Sequence, residues 1–144
     1  MASESAPMTS DARTRYYRGM FLAAAVWNMF SAGGVLFLLG SAKYRRAAGF
    51  PGTPDAIALQ LLACCLFVFG LGYYWVSHDV SRNRDLVKLG VIGKPFVFVV
   101  FIWHAMAREI PILLACPSLV DLLFGALFLE FLVRTRGKGS NLKT

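Results

Sequence analysis

Charge is scarce in this chain, and acidic charge is the scarcest. Only 16% of its 144 residues are charged, 15 Lys and Arg against 8 Asp and Glu. A soluble domain carries about 25%. So few charges cannot clothe a water-facing surface of this size, which excludes an ordinary soluble globular domain. Histidine occurs twice, as His78 and His104. The two fall at opposite ends of the apolar segments described below, which excludes their sharing a metal ion or a haem. Cysteine occurs three times, and Cys64, Cys65 and Cys116 lack the spacing of a zinc or redox motif. Sequence neighbours cannot easily bridge each other. All three lie in apolar blocks, where buried thiols serving as small apolar residues are expected. There is no Ser–His–Asp set, no paired-carboxylate site and no glycine-rich phosphate loop.

What the chain has in excess is apolar residues, 57% of the total, with a mean hydropathy of +0.57. They gather in four blocks, from about Phe21 to Leu39, Ala56 to Val76, Leu86 to Ala105 and Ile110 to Val133. Each is near the roughly 20 residues needed to cross a ~30 Å hydrocarbon core. The expected fold is all-α, an antiparallel bundle of four transmembrane helices spanning residues 21–133. A tail of residues 1–20 precedes it, and a basic tail of residues 134–144 follows. The first block is read as a span and not as a cleaved signal. It exceeds the roughly 7–15 apolar residues of a signal peptide, and Ser41-Ala42-Lys43 makes a poor cleavage site.

Lys and Arg outside the spans set the expected orientation. Ten of them (Arg13, Arg15, Arg18, Arg82, Arg84, Lys88, Arg134, Arg136, Lys138 and Lys143) flank the side shared by both tails and the second loop. Four, Lys43, Arg45, Arg46 and Arg108, lie on the other side. The positive-inside rule then puts both termini in the cytoplasm. The net charge of +7 flanks the spans without forming one patch. Anionic lipid head groups are therefore the expected partners, not nucleic acid.

Between the spans, Gly49 to Asp55 reads as a turn, with Asp55 capping the second helix. Asp79 or Ser81 is expected to cap the third, and Asp85 and Lys88 to pair on its first turn. The connection from Met106 to Glu109 is short enough to make the last two spans antiparallel neighbours. Pro111 suits the start of the fourth helix. Tyr16, Tyr17, Tyr73, Tyr74 and Trp75 on one side, and Tyr44 and Trp103 on the other, form the expected aromatic belts.

The unusual residues are Asn28, Lys94 and Asp121. Counting from the outer ends of their spans, each is about 11 residues deep, or roughly 16 Å. Three polar side chains from three helices thus share one level near the bilayer midplane. Small residues flank them: Ala24, Ala25, Ser31 and Ala32 around Asn28, Gly90 near the Lys94 face, Pro117 and Gly125 about Asp121. Charge at the bilayer centre costs at least ~2.5–3.5 kcal/mol on insertion scales, so it is usually paired or used. Lys94 is expected to pair with Asp121. Three alternatives stand: a structural pair that fixes packing, a site for a ligand, proton or ion, or a lysine that snorkels without a partner. Pro95 removes a helix hydrogen bond near Val91 and is either a kink or an ordinary membrane-helix proline.

Other polar residues read more simply. Glu130 is nearly opposite Asp121, since the nine-residue separation turns a helix by roughly 180°, so the two make no dyad. Glu130 is placed to pair with Arg134. His104 reads as an interfacial anchor. His78, Asp79, Arg82 and Arg84 are candidates to meet a head group or ligand, as is His104.

Ala25-Val26-Trp27-Asn28, Ser81-Arg82-Asn83-Arg84 with Gly90-Val91-Ile92-Gly93-Lys94, and Asp121-Leu122-Leu123-Phe124-Gly125-Ala126-Leu127-Phe128 together resemble small bacterial four-span proteins of the DoxX-like type. The resemblance implies a bacterial four-helix bundle of the inner membrane. Some such proteins are linked to quinone or sulfur redox chemistry, but no catalytic residue carries over to a position here. The leading expectation is a non-enzymatic accessory subunit, or a binder of a lipid-like small molecule, working as a homo-oligomer or with a membrane-protein partner. Alternatives are an oligomeric transporter using Lys94 and Asp121 as a proton or anion pathway, and a quinone-linked redox protein. The residues assign no cofactor.

Overall fold

A computed structural model describes residues 10–47 and 56–135. Those residues form five helices: α1 (Ser10–Gly40), α2 (Ala42–Ala47), α3 (Ala56–His78), α4 (Arg84–Met106) and α5 (Ile112–Arg134). No strand occurs among them. The expected Gly49 to Asp55 turn and the basic residues Arg136, Lys138 and Lys143 lie outside the described residues.

The four long helices are apolar enough to cross a membrane. Their outward faces carry side chains that water would not tolerate: Phe30 is 73% exposed, Ile57 70% and Leu113 73%. Exposed apolar surface on every side of a bundle is the mark of a lipid-solvated protein. The chain is a small polytopic membrane protein.

Helix α1 packs chiefly on α3, and α4 on α5. Paired positions run in opposite directions along each seam. Arg18 reaches His78 while Met29 lies against Gly70, and Arg84 reaches Thr135 while Lys94 reaches Asp121. The result is an up-down-up-down bundle. Close approach depends on glycine at two seams. A Cβ at Gly70 would stand 2.9 Å from Met29 Cγ and 3.2 Å from the Ala25 carbonyl. One at Gly90 would stand 2.7 Å from the Tyr73 hydroxyl and 2.8 Å from the Phe128 ring. Small residues let membrane helices come this near, which is where their van der Waals packing is strongest.

The large core side chains cluster toward the end that holds the α3–α4 loop. Tyr17, Met20, Phe21, Tyr73, Val76, Val87, Phe128 and Phe131 form it. Phe21 packs on Phe128 at 5.0 Å and on Phe131 edge-on at 5.2 Å, joining α1 to α5 at this end. Toward the other end the buried residues are small: Ala32, Ala63, Ala115 and Ser118.

Three expectations need correction, and one helix runs beyond its apolar block. Helix α1 begins at Ser10, so residues 10–20 are helical, and Tyr17 and Met20 belong to the core. At 31 residues the helix is about 46 Å long, more than a bilayer core needs, which leaves its first turns free to continue the packing. Tyr17 and Tyr73, read as belt residues, are buried at 3% and 2% exposure. Cys64, Cys65 and Cys116 are free but exposed on the outer faces of α3 and α5. A position inside an apolar block fixes depth but not face, and in lipid an outward thiol has no penalty to avoid. Neither Asp79 nor Ser81 caps α4. Asn83 holds the cap position without a side-chain bond, and Asp79 is used within the loop.

Candidate functional site

Asn28 of α1, Lys94 of α4 and Asp121 of α5 come together inside the bundle. Lys94 donates to the carboxylate of Asp121 and to Asn28 Oδ1 at 3.2 Å. Lys94 and Asn28 are 5% and 3% exposed, and the Asp121 side chain 13%. Local packing explains the meeting. Gly125 lets α5 close on Pro95 and the Lys94 Cβ, at 3.3–3.6 Å from where its own Cβ would be. Gly90, one turn before Lys94, lets α4 settle on Tyr73 and Phe128. Pro95 lies inside α4, which continues through it to Met106. Pro117, read as sharing the Asp121 face, is exposed, whereas Gly125 is buried.

An ammonium carries three N–H donors. Asp121 and Asn28 accept from Lys94, and the rings of Tyr73 and Phe124 each have their centroid 5.5 Å from its nitrogen. Aromatic faces at that distance attract a desolvated cation. Opposite charges in contact offset the cost of taking both out of water, and the Asn28 amide satisfies a further donor. Chemically the cluster can hold an acceptor against Lys94 or pass a proton between ammonium and carboxylate. Sequence reasoning missed Tyr73 and Phe124 as parts of it. Phe124 follows Asp121 by three residues and so shares its face, a signal that was available. Tyr73 reads as an interface tyrosine by composition alone.

Residues of α1 and α5 line an apolar groove of about 530 Å³ on the lipid-facing side. Leu22, Ala23, Val26, Trp27, Val120 and Phe124 line it. Trp27 adjoins Asn28, and Val120 adjoins Asp121. Phe124 is shared, lining the groove while its ring stands beside the Lys94 ammonium.

The other polar candidates sit at the ends of the bundle. His78 Nδ1 lies 3.0 Å from the Tyr74 carbonyl, its ring edge-on to Tyr74, and Arg18 donates to the His78 carbonyl at 3.0 Å. Asp79 Oδ1 accepts from the Ser81 hydroxyl at 2.6 Å and from the backbone N–H groups of Ser81 and Arg82. Those bonds, the Ser81 hydroxyl foremost, hold the Asp79 carboxyl below the usual carboxylate range. Arg82 is exposed. Arg84, expected at a head group, is occupied elsewhere. It donates to the carbonyls of Thr135 and Leu132 at 3.0 and 3.4 Å and covers the Phe131 ring, closing the end of α5. At the opposite end His104 meets Glu109. Lys88 pairs with Asp85 at 2.7 Å and Arg134 with Glu130 at 3.3 Å. Among the described residues no group of three His, Cys, Asp or Glu side chains is close enough to hold a metal ion.

No protein-family model matches the chain, a DoxX-like one included, and no solved structure matches it. Among curated proteins it is similar to the riboflavin transporter RibU of Streptococcus thermophilus, 31% identical over 67 residues. The similarity covers 46% of this chain and 32% of the transporter, so the chain spans about a third of the length of the relative it matches.

Proposed function

We propose that this protein is a non-enzymatic component of the inner membrane that holds a lipid-like small molecule beside its Asn28–Lys94–Asp121 cluster. It acts alone, as a homo-oligomer or as an accessory subunit of a larger membrane assembly. The observation that carries this reading is that Phe124 both lines the α1–α5 groove and stands beside the Lys94 ammonium. A groove of this size lies within the ~300–1,000 Å³ of small-molecule sites. Its walls match the predominantly apolar lining of such sites, with the polar cluster on the other side of Phe124. The excess of Lys and Arg beside both tails supports cytoplasmic termini, with Arg18, Arg82 and His78 near anionic head groups.

Extraction with native lipid, followed by mass spectrometry of the intact protein, tests the reading. A small molecule retained by the wild type and lost from Ala23→Trp, which fills the groove, is the expected result. A monomer that carries neither lipid nor partner, and is unchanged by Ala23→Trp, would remove the proposal.

One observation favours a second reading, transport: the partial similarity to the riboflavin transporter. In that case Lys94 and Asp121 would carry a proton or anion along a polar path in an oligomer. Unchanged flux through Asp121→Asn protein in reconstituted vesicles would dispose of it.

A further inference from the structure

Resting on the lipid-binding reading above, we infer that the α1–α5 groove admits an apolar molecule bearing one neutral carbonyl acceptor, and that this carbonyl accepts the remaining N–H of Lys94. Three observations lead there. The ammonium has three donors, and its oxygen acceptors are Asp121 and Asn28. On the remaining side it meets aromatic faces, Tyr73 and Phe124. Phe124 also lines the groove, so its ring borders both the groove and the ammonium, and a carbonyl entering from the groove takes its place there. An aromatic ring is a poorer acceptor than a carbonyl, so an incoming oxygen improves the ammonium's bonding without displacing either existing partner.

Charge decides the chemical class. Lys94 and Asp121 cancel each other, so a carboxylate or phosphate head would bring uncompensated charge into a dry interior. A cationic head would likewise add uncompensated charge to that interior. A neutral ketone, ester or amide carbonyl satisfies the donor and leaves the charge balance as it is. The rest of the ligand must be apolar to match Leu22, Val26, Trp27 and Val120. Access is from the bilayer, because the groove lies on the outer flank of the bundle and Val26 is 59% exposed along it.

The test uses the full chain in lipid nanodiscs and three photoactivatable probes of equal chain length: a methyl ketone, the hydrocarbon without the carbonyl, and the corresponding carboxylate. The ketone is expected to label α1 or α5 at the groove with an apparent affinity about tenfold better than the hydrocarbon, the worth of one charge-assisted hydrogen bond. The carboxylate should do no better than the hydrocarbon. In Lys94→Met/Asp121→Leu, which keeps the interior neutral, the ketone loses its advantage while groove labelling persists. A carbon-13 carbonyl in the ketone supplies a readout on the wild type alone. Its infrared stretch should move to lower frequency in the protein relative to protein-free nanodiscs. Equal labelling by ketone and hydrocarbon, an unmoved stretch, or a preferred carboxylate overturns the carbonyl inference while leaving a lipid-binding groove in place. No labelling of the groove by any probe overturns both.

Discussion

Removing one partner of the Lys94–Asp121 contact should be far more harmful than removing both. In Lys94→Met the Asp121 carboxylate is left buried among apolar groups, and the bundle's cheapest response is to protonate it. Neutralising a carboxyl of ordinary pKa near 3.9 at pH 7 costs about 4 kcal/mol. The converse change, Asp121→Leu, leaves the ammonium. Neutralising an amine of pKa near 10.4 costs about 4.6 kcal/mol. Each single variant should therefore lose about 3–5 kcal/mol, in line with other broken buried pairs. The double variant Lys94→Met/Asp121→Leu leaves no charge and fills similar volume, so it should lie within about 1–2 kcal/mol of the wild type. The coupling energy across the cycle then comes to several kcal/mol. Steric-trap unfolding in bicelles measures all four corners in a lipid-like solvent. Singles that each lose less than about 1 kcal/mol, or a double variant as unstable as the singles' sum, would refute the reasoning. Either result would mean that the two charges do not depend on each other.

Gly90→Ala should lose about 1–3 kcal/mol, because its Cβ would press on Tyr73 and Phe128 at 2.7–2.8 Å. Gly93→Ala, with nothing within 4 Å of its Cβ, should gain roughly 0.5–1 kcal/mol in the same unfolding assay, so equal effects at the two glycines would contradict the packing. Asp79 should titrate below the ordinary carboxylate range by carbon-13 NMR, and Ser81→Ala should raise its midpoint by removing the largest cause of the shift. Because the folded value lies below the unfolded one, the contribution of Asp79 to stability is complete above the ordinary range. It is lost as pH falls through the folded value. Spin labels at Cys64 or Cys116 should collide readily with oxygen dissolved in the bilayer, whereas restricted, slow collisions would place those thiols inside the bundle.

The sequence made the architecture legible because length and hydropathy are one-dimensional properties. Four blocks near the bilayer thickness read directly as four spans, and counting from their ends put Asn28, Lys94 and Asp121 at a common depth. Which way a side chain faces is a second coordinate, and there the reading was uneven. Cys64, Cys65 and Cys116 share the depth of buried residues yet point outward, because an apolar helix surrounded by lipid lacks the polar face that would orient it. Tyr17 and Tyr73 sit where a belt is expected, but α1 begins early at Ser10 and extends the core over them. Arg84 counts as a cytoplasmic cation by sequence and is in fact the cover for the end of α5, some fifty positions away by chain. The groove had no signature in the sequence. It arises between the outward residues of α1 and α5, helices joined through Phe21, Phe128 and Phe131, a relation between distant segments.

The central claim is that ammonium and carboxylate touch inside a lipid-embedded bundle. Solid-state NMR on the full chain in liposomes measures this directly, through the dipolar coupling between nitrogen-15 at lysine Nζ and carbon-13 at aspartate Cγ. Asp85→Asn protein is the proper sample, since Lys88 and Asp85 also meet, at 2.7 Å. A strong coupling at a separation below about 4 Å, abolished by Asp121→Asn, is the expected result. No coupling in the Asp85→Asn protein, or one that survives Asp121→Asn, would contradict it.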